Sequence, residues 1–255
     1  MIKFFRHIRK KLLAEGKTTN YLKYAIGEIV LVVIGILIAL SVNNWNQKNK
    51  EQKLGKDYLV RIHRDLVQDT ISFRKIITSN NALREDIKSL MDTLYQGVHN
   101  IDQVKYMGSI YDKALDQVFS PNDNTYKGMI SSGTLGLIQN LELKEEIVDL
   151  YSEYDQKRAL FTGIGQWMIT VATAETIQTD FIKFNDGVSD IFTKPEMLNE
   201  NDFSFLNDKN DPRFKIFVKA ISATAFNQSA SNGYYLELIN SCNTVLQYIE
   251  QELKN

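Results

Sequence analysis

Apolar residues are concentrated in one run near the start of the chain, from Tyr24 to Trp45. As a helix this run would span about 33 Å, against roughly 30 Å for the hydrocarbon core of a bilayer. Tyr21 and Tyr24 at one end, and Trp45 at the other, are residue types that favour a membrane interface. The pattern predicts a single uncleaved transmembrane helix over residues 21–46.

A cleaved signal peptide is the alternative interpretation of the same run. Its uninterrupted apolar part, Ile29–Leu40, is short, and Ala39 and Ser41 offer the small side chains that signal peptidase requires. The segment before it is long for a signal peptide, however, and Glu28 lies beside the apolar run. These two features favour the anchor, whereas a mature chain that starts at Val42 would favour cleavage.

Residues 1–20 precede the span and have a basic amphipathic pattern, which is typical of a helix lying in the headgroup region. The apolar positions are Ile2, Phe5, Ile8 and Leu12, and the basic positions opposite them are Lys3, Arg6 and Lys10. Residues 1–28 contain seven Lys/Arg and two Asp/Glu, in a chain of net charge −1. The positive flank predicts a cytoplasmic N-terminus and a large periplasmic domain, at the inner membrane of a Gram-negative cell.

Four residues spaced by seven, four and four positions share one face of the span: Glu28, Gly35, Ala39 and Asn43. Gly35 and Ala39 form a small-x-x-x-small pair, which lets two helices approach closely. One interpretation is a contact face for a second membrane helix, with Glu28 hydrogen-bonded across it. The other is a carboxylate at headgroup level near Lys23, with no contact across the face.

Residues 47–255 contain two long apolar stripes with helical spacing, which predict an all-α fold built as an antiparallel bundle of long helices. The first stripe comprises Leu59, Ile62, Leu66, Asp69, Phe73, Ile76, Asn80, Leu83, Ile87, Leu90 and Leu94. The second comprises Phe217, Ile221, Thr224, Gln228, Ser231, Tyr235, Leu238, Cys242, Val245 and Ile249. The first stripe predicts that the span continues as one helix to about Tyr95, with Gly55 as its weakest point. Within this stripe, Asp69 and Asn80 either fix the register of the bundle or face water.

Further helices follow from the same spacing. A shorter helix is predicted over Asp102–Phe119 and a long one over Leu141–Phe184. Residues 186–210 are polar, so we expect a long connection with at most one short helix. Asp211 followed by Pro212 is typical of an N-cap and a first helical position, and predicts the start of the last helix.

Residues 121–140, between the helices, are rich in turn-forming residues. We expect Thr125 to cap one helical turn, Gly133 to end it in a left-handed conformation, and Asn140 to cap the next helix. Loops carry binding functions more often than bundle stripes do, so this segment is a candidate surface patch. The alternative is a connector that only packs. The patch comprises Asn122, Asp123, Asn124, Thr125, Tyr126, Lys127, Gly133 and Asn140.

Composition and motifs narrow the chemistry. The chain is 44% hydrophobic with three prolines and one cysteine, which permits a sizeable core and excludes an internal disulfide. Cys242 lies on an inward stripe, so we expect a buried structural thiol. The acidic balance beyond residue 28 argues against nucleic acid as a partner. Because no metal-ligand spacing, phosphate loop or nucleophile motif occurs, we expect no catalytic residue, no metal and no cofactor.

Several stretches of the chain carry a resemblance to known proteins. They are Met1–Arg6 (MIKFFR), Lys23–Leu40 (KYAIGEIVLVVIGILIAL), Asn43–Asn46 (NNWN), Thr125–Gly133 (TYKGMISSG) and Leu137–Asn140 (LIQN). In these stretches the chain resembles an uncharacterised family of bacterial membrane proteins found in Bacteroidota, especially flavobacteria, which is known only as a domain of unknown function. The resemblance implies a single-pass protein of a Gram-negative envelope, and it transfers no functional residue.

Three classes of function remain. The leading hypothesis is a membrane-tethered, non-enzymatic interaction or scaffold module, with the lipid bilayer and another envelope protein or a second copy as partners. The second is a sensory or ligand-binding bundle that signals through a partner, and a stabilising small ligand would favour it. The third is an enzyme with an unrecognised site, for which the sequence offers no motif.

Overall fold

The computed structural model describes residues 18–113, 119–172, 183–184, 187–192, 194, 197 and 203–254. Those residues form α-helices and short 3-10 helices, and no strand occurs among them, which confirms the predicted all-α class. The α-helices are α1 (Thr18–Gln96), α2 (Ile101–Lys113), α3 (Asn124–Ser131), α4 (Leu141–Ala172) and α5 (Pro212–Lys254). The 3-10 helices include Thr134–Leu137, Ser189–Ile191 and Ser204–Asn207. Residues 1–17 of the predicted amphipathic segment lie outside the described residues.

Two compact units divide the chain between Asp57 and Tyr58. The first unit contains the start of α1, and the second contains the rest of α1 together with α2 to α5. Helix α1 continues through Gly55 without a break, so this glycine does not interrupt the helix. The domain boundaries expected at residues 20 and 46 remain predictions.

In the first unit, the apolar part of α1 is exposed to its surroundings. Helix α1 contains one stretch that is long and apolar enough to cross a membrane, and none of that stretch is buried. Leu31 and Trp45, for example, are 65% and 67% exposed. A surface helix of a water-soluble domain normally has a polar face, which this stretch lacks. By length and composition the stretch is therefore a candidate membrane span.

The second unit is built on α1, α4 and α5, and α5 runs antiparallel to the other two. Contacts between α4 and α5 join Tyr154 to Cys242, Lys157 to Glu237 and Phe161 to Tyr235, in reversed order along the two helices. Contacts between α1 and α5 join His63 to Glu250, Asn80 to Asn232 and Tyr95 to Phe214, again in reversed order. The predicted antiparallel bundle of long helices is confirmed.

Both predicted stripes face the interior of this bundle. Every residue of the second stripe is buried, and every residue of the first is buried except Ile76, which is half-buried. Asp69 and Asn80 are 1% and 5% exposed, so neither residue faces water. A helix buries the side chains that share one face, and that face is fixed by spacing alone. This is why the spacing predicted the interior positions correctly.

The bundle has two apolar cores, which are separated by a layer of buried polar residues. One core gathers Leu66, Phe73, Tyr154, Leu238 and their neighbours, and the other gathers Leu90, Met107, Phe205, Phe217 and theirs. The polar layer comprises Asn80, Thr224, Asn227, Gln228 and Ser231. Asn80 Nδ2 donates to Asn232 Oδ1 at 2.9 Å, and this bond sets α1 against α5 at one register.

The ends of α1 and α5 follow the predicted chemistry. Helix α1 ends at Gln96, and Gly97 has a φ of +112°, which a residue with a side chain rarely adopts. Asp211 Oδ1 accepts a hydrogen bond of 2.8 Å from the backbone N–H of Arg213, and Pro212 is the first helical residue. The predicted N-cap of the last helix is therefore confirmed.

Three other predicted boundaries are wrong. Phe119 is not helical, because a residue ahead of the Ser120-Pro121 pair leaves the helix and its ring instead packs between Phe73 and Phe161, at 6.0 and 5.2 Å between ring centroids. Phe184 lies in a turn and not in a long helix, because its buried ring packs against Phe203. The connection predicted to hold at most one short helix contains more than one 3-10 helix among its described residues, and the one at Ser204–Asn207 buries Phe205 and Leu206.

Two adjacent asparagines provide a test of the polar layer. We expect Asn80→Ala to lower the free energy of unfolding by about 1–3 kcal/mol, because it removes a buried donor and leaves Asn232 Oδ1 without its partner. Asn81 is exposed and only accepts from Asn232 Nδ2, so Asn81→Ala should change stability by less than about 0.5 kcal/mol. Urea unfolding of the full chain in detergent measures both values. Equal effects of the two substitutions would contradict a register role for Asn80.

Candidate functional site

The segment around the candidate patch is held by one buried carboxylate, Asp69 of α1. Asn122 donates twice to Asp69 Oδ1, from its backbone N–H at 2.9 Å and from Nδ2 at 2.6 Å. The hydroxyl of Tyr154 donates to Asp69 Oδ2 at 2.8 Å. Asp69 therefore joins three parts of the bundle: α1, α4 and the residues just before α3.

Tyr154 extends this arrangement to the cysteine of α5. Its hydroxyl oxygen lies 3.1 Å from Cys242 Sγ, and both residues are fully buried. A hydroxyl has one hydrogen, so while Tyr154 donates to Asp69 the thiol must donate to Tyr154 Oη. Burial raises the pKa of Cys242 to about 12, so the thiol stays protonated at neutral pH. A continuous chain of hydrogen bonds thus runs from α5 through α4 to α1.

Burial dominates the electrostatics of the cluster. It raises the pKa of Asp69 above the ordinary value of 3.8, and the hydrogen bonds from Asn122 and Tyr154 only partly oppose this effect. It also raises the pKa of Tyr151, whose buried hydroxyl has no hydrogen-bond partner among the described residues. The negative charge of Asp65 acts on both groups in the same direction. The ionised carboxylate of Asp69 therefore has hydrogen-bond donors, but its removal from water is unfavourable in free energy.

A second set of contacts fixes α3 beside the Asp69 cluster. Asp123, immediately before α3, accepts from Arg158 Nη2 at 2.5 Å and pairs with Lys127 Nζ at 2.7 Å. The ring of Tyr126 stacks on Tyr151 with 4.2 Å between centroids and 6° between planes. Helix α3 is thereby attached to α4 by an ion pair and by an aromatic stack, which gives it one defined position on the bundle.

The caps predicted in this segment are partly confirmed. Gly133 follows the helix with a φ of +69°, and Asn140 Oδ1 accepts the backbone N–H of Leu143 at 3.2 Å, as expected. The cap predicted at Thr125 is wrong, because α3 already begins at Asn124 and the Thr125 hydroxyl donates to Asp65. The tertiary contact to α1 replaces the local contact that a cap would make.

The eight residues of the candidate patch differ in accessibility. Asp123 is buried, and Thr125, Tyr126 and Asn140 are half-buried with contacts to the bundle. The exposed members are Asn122, Asn124, Lys127 and Gly133. A binding role for this exposed part remains a prediction.

Several residues of the site were not singled out by the sequence. Asp65, Tyr151, Tyr154 and Arg158 carried no motif. A signal was nevertheless present, because Asp65 lies one helical turn before Asp69 and therefore on the same face of α1. Tyr154 and Arg158 are related in the same way on α4. Residue spacing does not show which face of α1 packs against which face of α4, because this depends on the tertiary structure.

The predicted membrane-helix face lies on the exposed part of α1. Gly35, Ala39 and Asn43 are exposed and Glu28 is half-buried, and a Cβ built on Gly35 would meet no atom within 4 Å. The structure thus leaves room along this face for a neighbouring helix. Its use as a contact remains a prediction.

A shallow cavity of about 290 Å³ lies elsewhere in the second unit, where α1 and α5 meet. It is lined by Val60, His63, Glu250, Leu253 and Lys254, and His63 Nε2 lies 3.3 Å from Glu250 Oε1. Within the described ranges no group of three or more His, Cys, Asp or Glu side chains is arranged to hold a metal ion. The cavity contains a single histidine–carboxylate pair.

The fold and the site together define a helical bundle with a polar cluster in its interior and an exposed apolar helix segment. A family model described as a family of unknown function, DUF6090, matches residues 28–206, and the chain belongs to this family. The resemblance to an uncharacterised family is thereby confirmed. The matched range contains most of the apolar run together with Asp69 and Tyr154, and it ends before α5. No curated protein and no solved structure matches the chain.

The raised pKa of Asp69 predicts a specific dependence of stability on pH. At pH values between 3.8, the ordinary pKa of an aspartate, and the raised folded-state pKa of Asp69, the folded chain binds more protons than the unfolded chain. The contribution of Asp69 to stability is therefore complete below pH 3.8. It is lost as the pH rises through the folded-state pKa. In Asp69→Asn that contribution disappears, so the stability curve should be flatter over this window. Urea unfolding at a series of pH values compares the two proteins, with Asp92→Asn, an exposed residue of α1, as a control. Identical pH profiles for wild type and Asp69→Asn would contradict the prediction.

Proposed function

We propose that the chain is a membrane-anchored, non-enzymatic interaction module of a bacterial envelope, of the kind that the resemblance to Bacteroidota proteins implies. The observation that carries this proposal is the exposed apolar stretch of α1. Between Ile29 and Leu40 every residue is exposed, and no Asp, Glu, Lys or Arg occurs there. In water such a surface is unfavourable in proportion to its apolar area, whereas in a hydrocarbon core it is at its lowest free energy.

The charge pattern supports one direction of insertion. The basic residues of the first 28 positions favour the cytoplasmic side, so the second unit lies in the periplasm. The lone thiol does not distinguish the two compartments, since a chain with one cysteine forms no internal disulfide in either.

A non-enzymatic role is supported by where the reactive groups lie. Asp69, Tyr154 and Cys242 are titratable groups whose pKa values are raised by burial, and each is at most 1% exposed. A substrate has no access to groups buried to this extent. Their contacts serve the packing of α1, α4 and α5, so we place function at the surface of the bundle.

Helix α5 provides the surface that fits an interaction role. Phe226 and Leu236 are 68% and 54% exposed, and Ser229 and Gly233 lie between them on the same face. No charged residue occurs between Lys219 and Glu237. Exposed helix faces of soluble proteins are usually charged, and depletion of charge around an aromatic residue is typical of the centre of an interface.

We assign this face to a second copy of the chain. An uncharged face is complementary to itself, and a two-fold contact requires one self-complementary patch. Anchoring in a common membrane would also raise the local concentration of copies, as a linker does between two binding modules. Homo-oligomerisation is therefore the form of interaction that the neutral face of α5 favours.

The anchor is tested by a pair of matched double substitutions. Ile34→Lys with Ile38→Lys places two charges in the apolar stretch, each at a cost of about 3 kcal/mol for insertion, so most of the chain should be released from membranes by alkaline extraction. Val60→Lys with Ile71→Lys adds the same charges at positions with similar exposure, about half, in the second unit and should leave the chain in the membrane pellet. Equal release of both variants, or of neither, would count against the anchor.

Sidedness is tested with one engineered cysteine. In a Cys242→Ser background, Glu145→Cys places a thiol at an exposed position of α4. A membrane-impermeant maleimide added to spheroplasts should label this variant as fully as it does after the cells are lysed. Labelling that requires lysis would place the second unit in the cytoplasm and overturn the proposed topology.

The second-copy contact is tested by disulfide crosslinking in the same background. Oxidation of membranes should join two chains when cysteine replaces Phe226, Ser229 or Gly233, and not when it replaces Glu145. Ile130→Cys, on the exposed side of α3, tests the candidate patch in parallel. Dimers at position 130 alone would move the contact to the patch, and the absence of dimers at every position would reject self-association.

A further inference from the structure

We propose that Asp69, Tyr154 and Cys242 form a proton-switched hydrogen-bond chain, in which protonation of Asp69 reverses the direction of the chain and loosens the hold of the bundle on Asn122. This inference goes beyond the proposed function, because it concerns a device inside the bundle and not the surface that binds a partner. It stands on the geometry of four side chains contributed by three helices and the segment before α3.

With Asp69 ionised, every bond of the chain points toward the carboxylate. Cys242 donates its S–H to Tyr154 Oη, Tyr154 donates its O–H to Asp69 Oδ2, and Asn122 donates two N–H groups to Asp69 Oδ1. A carboxylate can accept from all three donor groups that reach it, and each bond is strengthened by the charge. The cost of this state is the buried negative charge itself.

Protonation removes that charge without breaking the chain. The proton enters from solvent onto Oδ2, which then donates to Tyr154 Oη. The Tyr154 hydroxyl hydrogen turns by rotation about the C–O bond and donates to Cys242 Sγ, 3.1 Å away, so the thiol hydrogen is released from Tyr154. One proton is gained in total and no heavy atom has to move. Asn122 keeps its contact with Oδ1, but as bonds to a neutral acid.

The groups around the cluster favour the neutral form of Asp69. Asp65 on α1 adds a negative charge, and Tyr151 and Tyr154 on α4 and Cys242 on α5 are neutral at physiological pH. On the segment that bears Asn122, the charge of Asp123 is paired with Arg158 and Lys127. No cation pairs directly with Asp69 in the described part of the chain, so nothing but hydrogen bonds opposes its protonation.

The lone cysteine makes the direction of the chain observable. Because Cys242 is the only cysteine, its S–H stretching band in the infrared spectrum of the full chain in detergent reports this one site. On acidification the band should move to the frequency of a thiol that no longer donates to Tyr154. The move should follow the same midpoint as the appearance of a protonated carboxyl C=O band that is absent in Asp69→Asn.

Two variants separate the chain from general effects of pH. In Asp69→Asn the S–H band should stay fixed over the whole pH range, because no proton binds at position 69. In Tyr154→Phe the carboxyl band should still titrate while the S–H band stays fixed, because the connecting hydroxyl is gone. Any one of three results would overturn the proposal. The S–H band could move in Asp69→Asn, or it could stay fixed in the wild type while Asp69 titrates. Asp69 could also remain ionised until the protein unfolds.

Hydrogen exchange measures the hold on Asn122. Protection of the peptide that contains residues 119–127 should fall about fivefold to tenfold through the same midpoint, which corresponds to the difference between a charge-assisted and a neutral hydrogen bond. In Asp69→Asn the protection should be low at every pH. If protection in the wild type does not change with pH, the effect of protonation would be confined to the hydrogen bonds among Asp69, Tyr154 and Cys242. That result would contradict the loosening of Asn122.

Discussion

A buried carboxylate, which no cation accompanies among the described residues, constrains the whole second unit. Asp69 is held in the bundle only if enough donors reach it, because an unsatisfied charge in an apolar interior is costly. Asn122 and Tyr154 supply those donors, and they come from two different parts of the chain. The position of the segment before α3 and the rotation of α4 about its own axis are both fixed by this requirement. Apolar packing alone would tolerate several such arrangements, whereas the hydrogen bonds to Asp69 permit few.

The second constraint is the division of the interior into two apolar cores. The apolar layers on either side of the polar layer resemble one another. In a bundle made only of such layers, one helix could therefore shift by one turn relative to its neighbour. The pair Asn80–Asn232 meets its hydrogen-bonding needs at one register only. Helix α5 supplies most of the polar layer and a large share of both cores, although it lies beyond the range matched by the family model.

The correct predictions concern properties of a single helix, and the missed ones concern contacts between different parts of the chain. Burial along one helix depends on spacing, and the two stripes were therefore predicted almost residue by residue. The wrong predictions at Phe119 and Thr125 have one cause. Each followed from the local sequence, whereas in the structure each side chain makes a tertiary contact instead, Phe119 with Phe161 and Thr125 with Asp65. The polar intrusion at Asp69 was visible, but its partner Asn122 was not, because a contact between residues 53 positions apart follows from how the helices meet. No pattern within a single helix contains that information.

The location of the ionisable groups limits how this chain can act. Asp69, Tyr154 and Cys242 are buried titratable groups with raised pKa values, and they act on the exterior through the residues that they hold in place. Asn122 is the one member of the cluster that is both exposed and bonded to Asp69. A change of charge at Asp69 therefore reaches the surface at the start of α3 through Asn122, and it reaches the interior side of α5 through Tyr154 and Cys242. A partner bound at the start of α3 would therefore sense the protonation state of Asp69, because the exposed Asn122 is the residue through which the buried carboxylate contacts that surface.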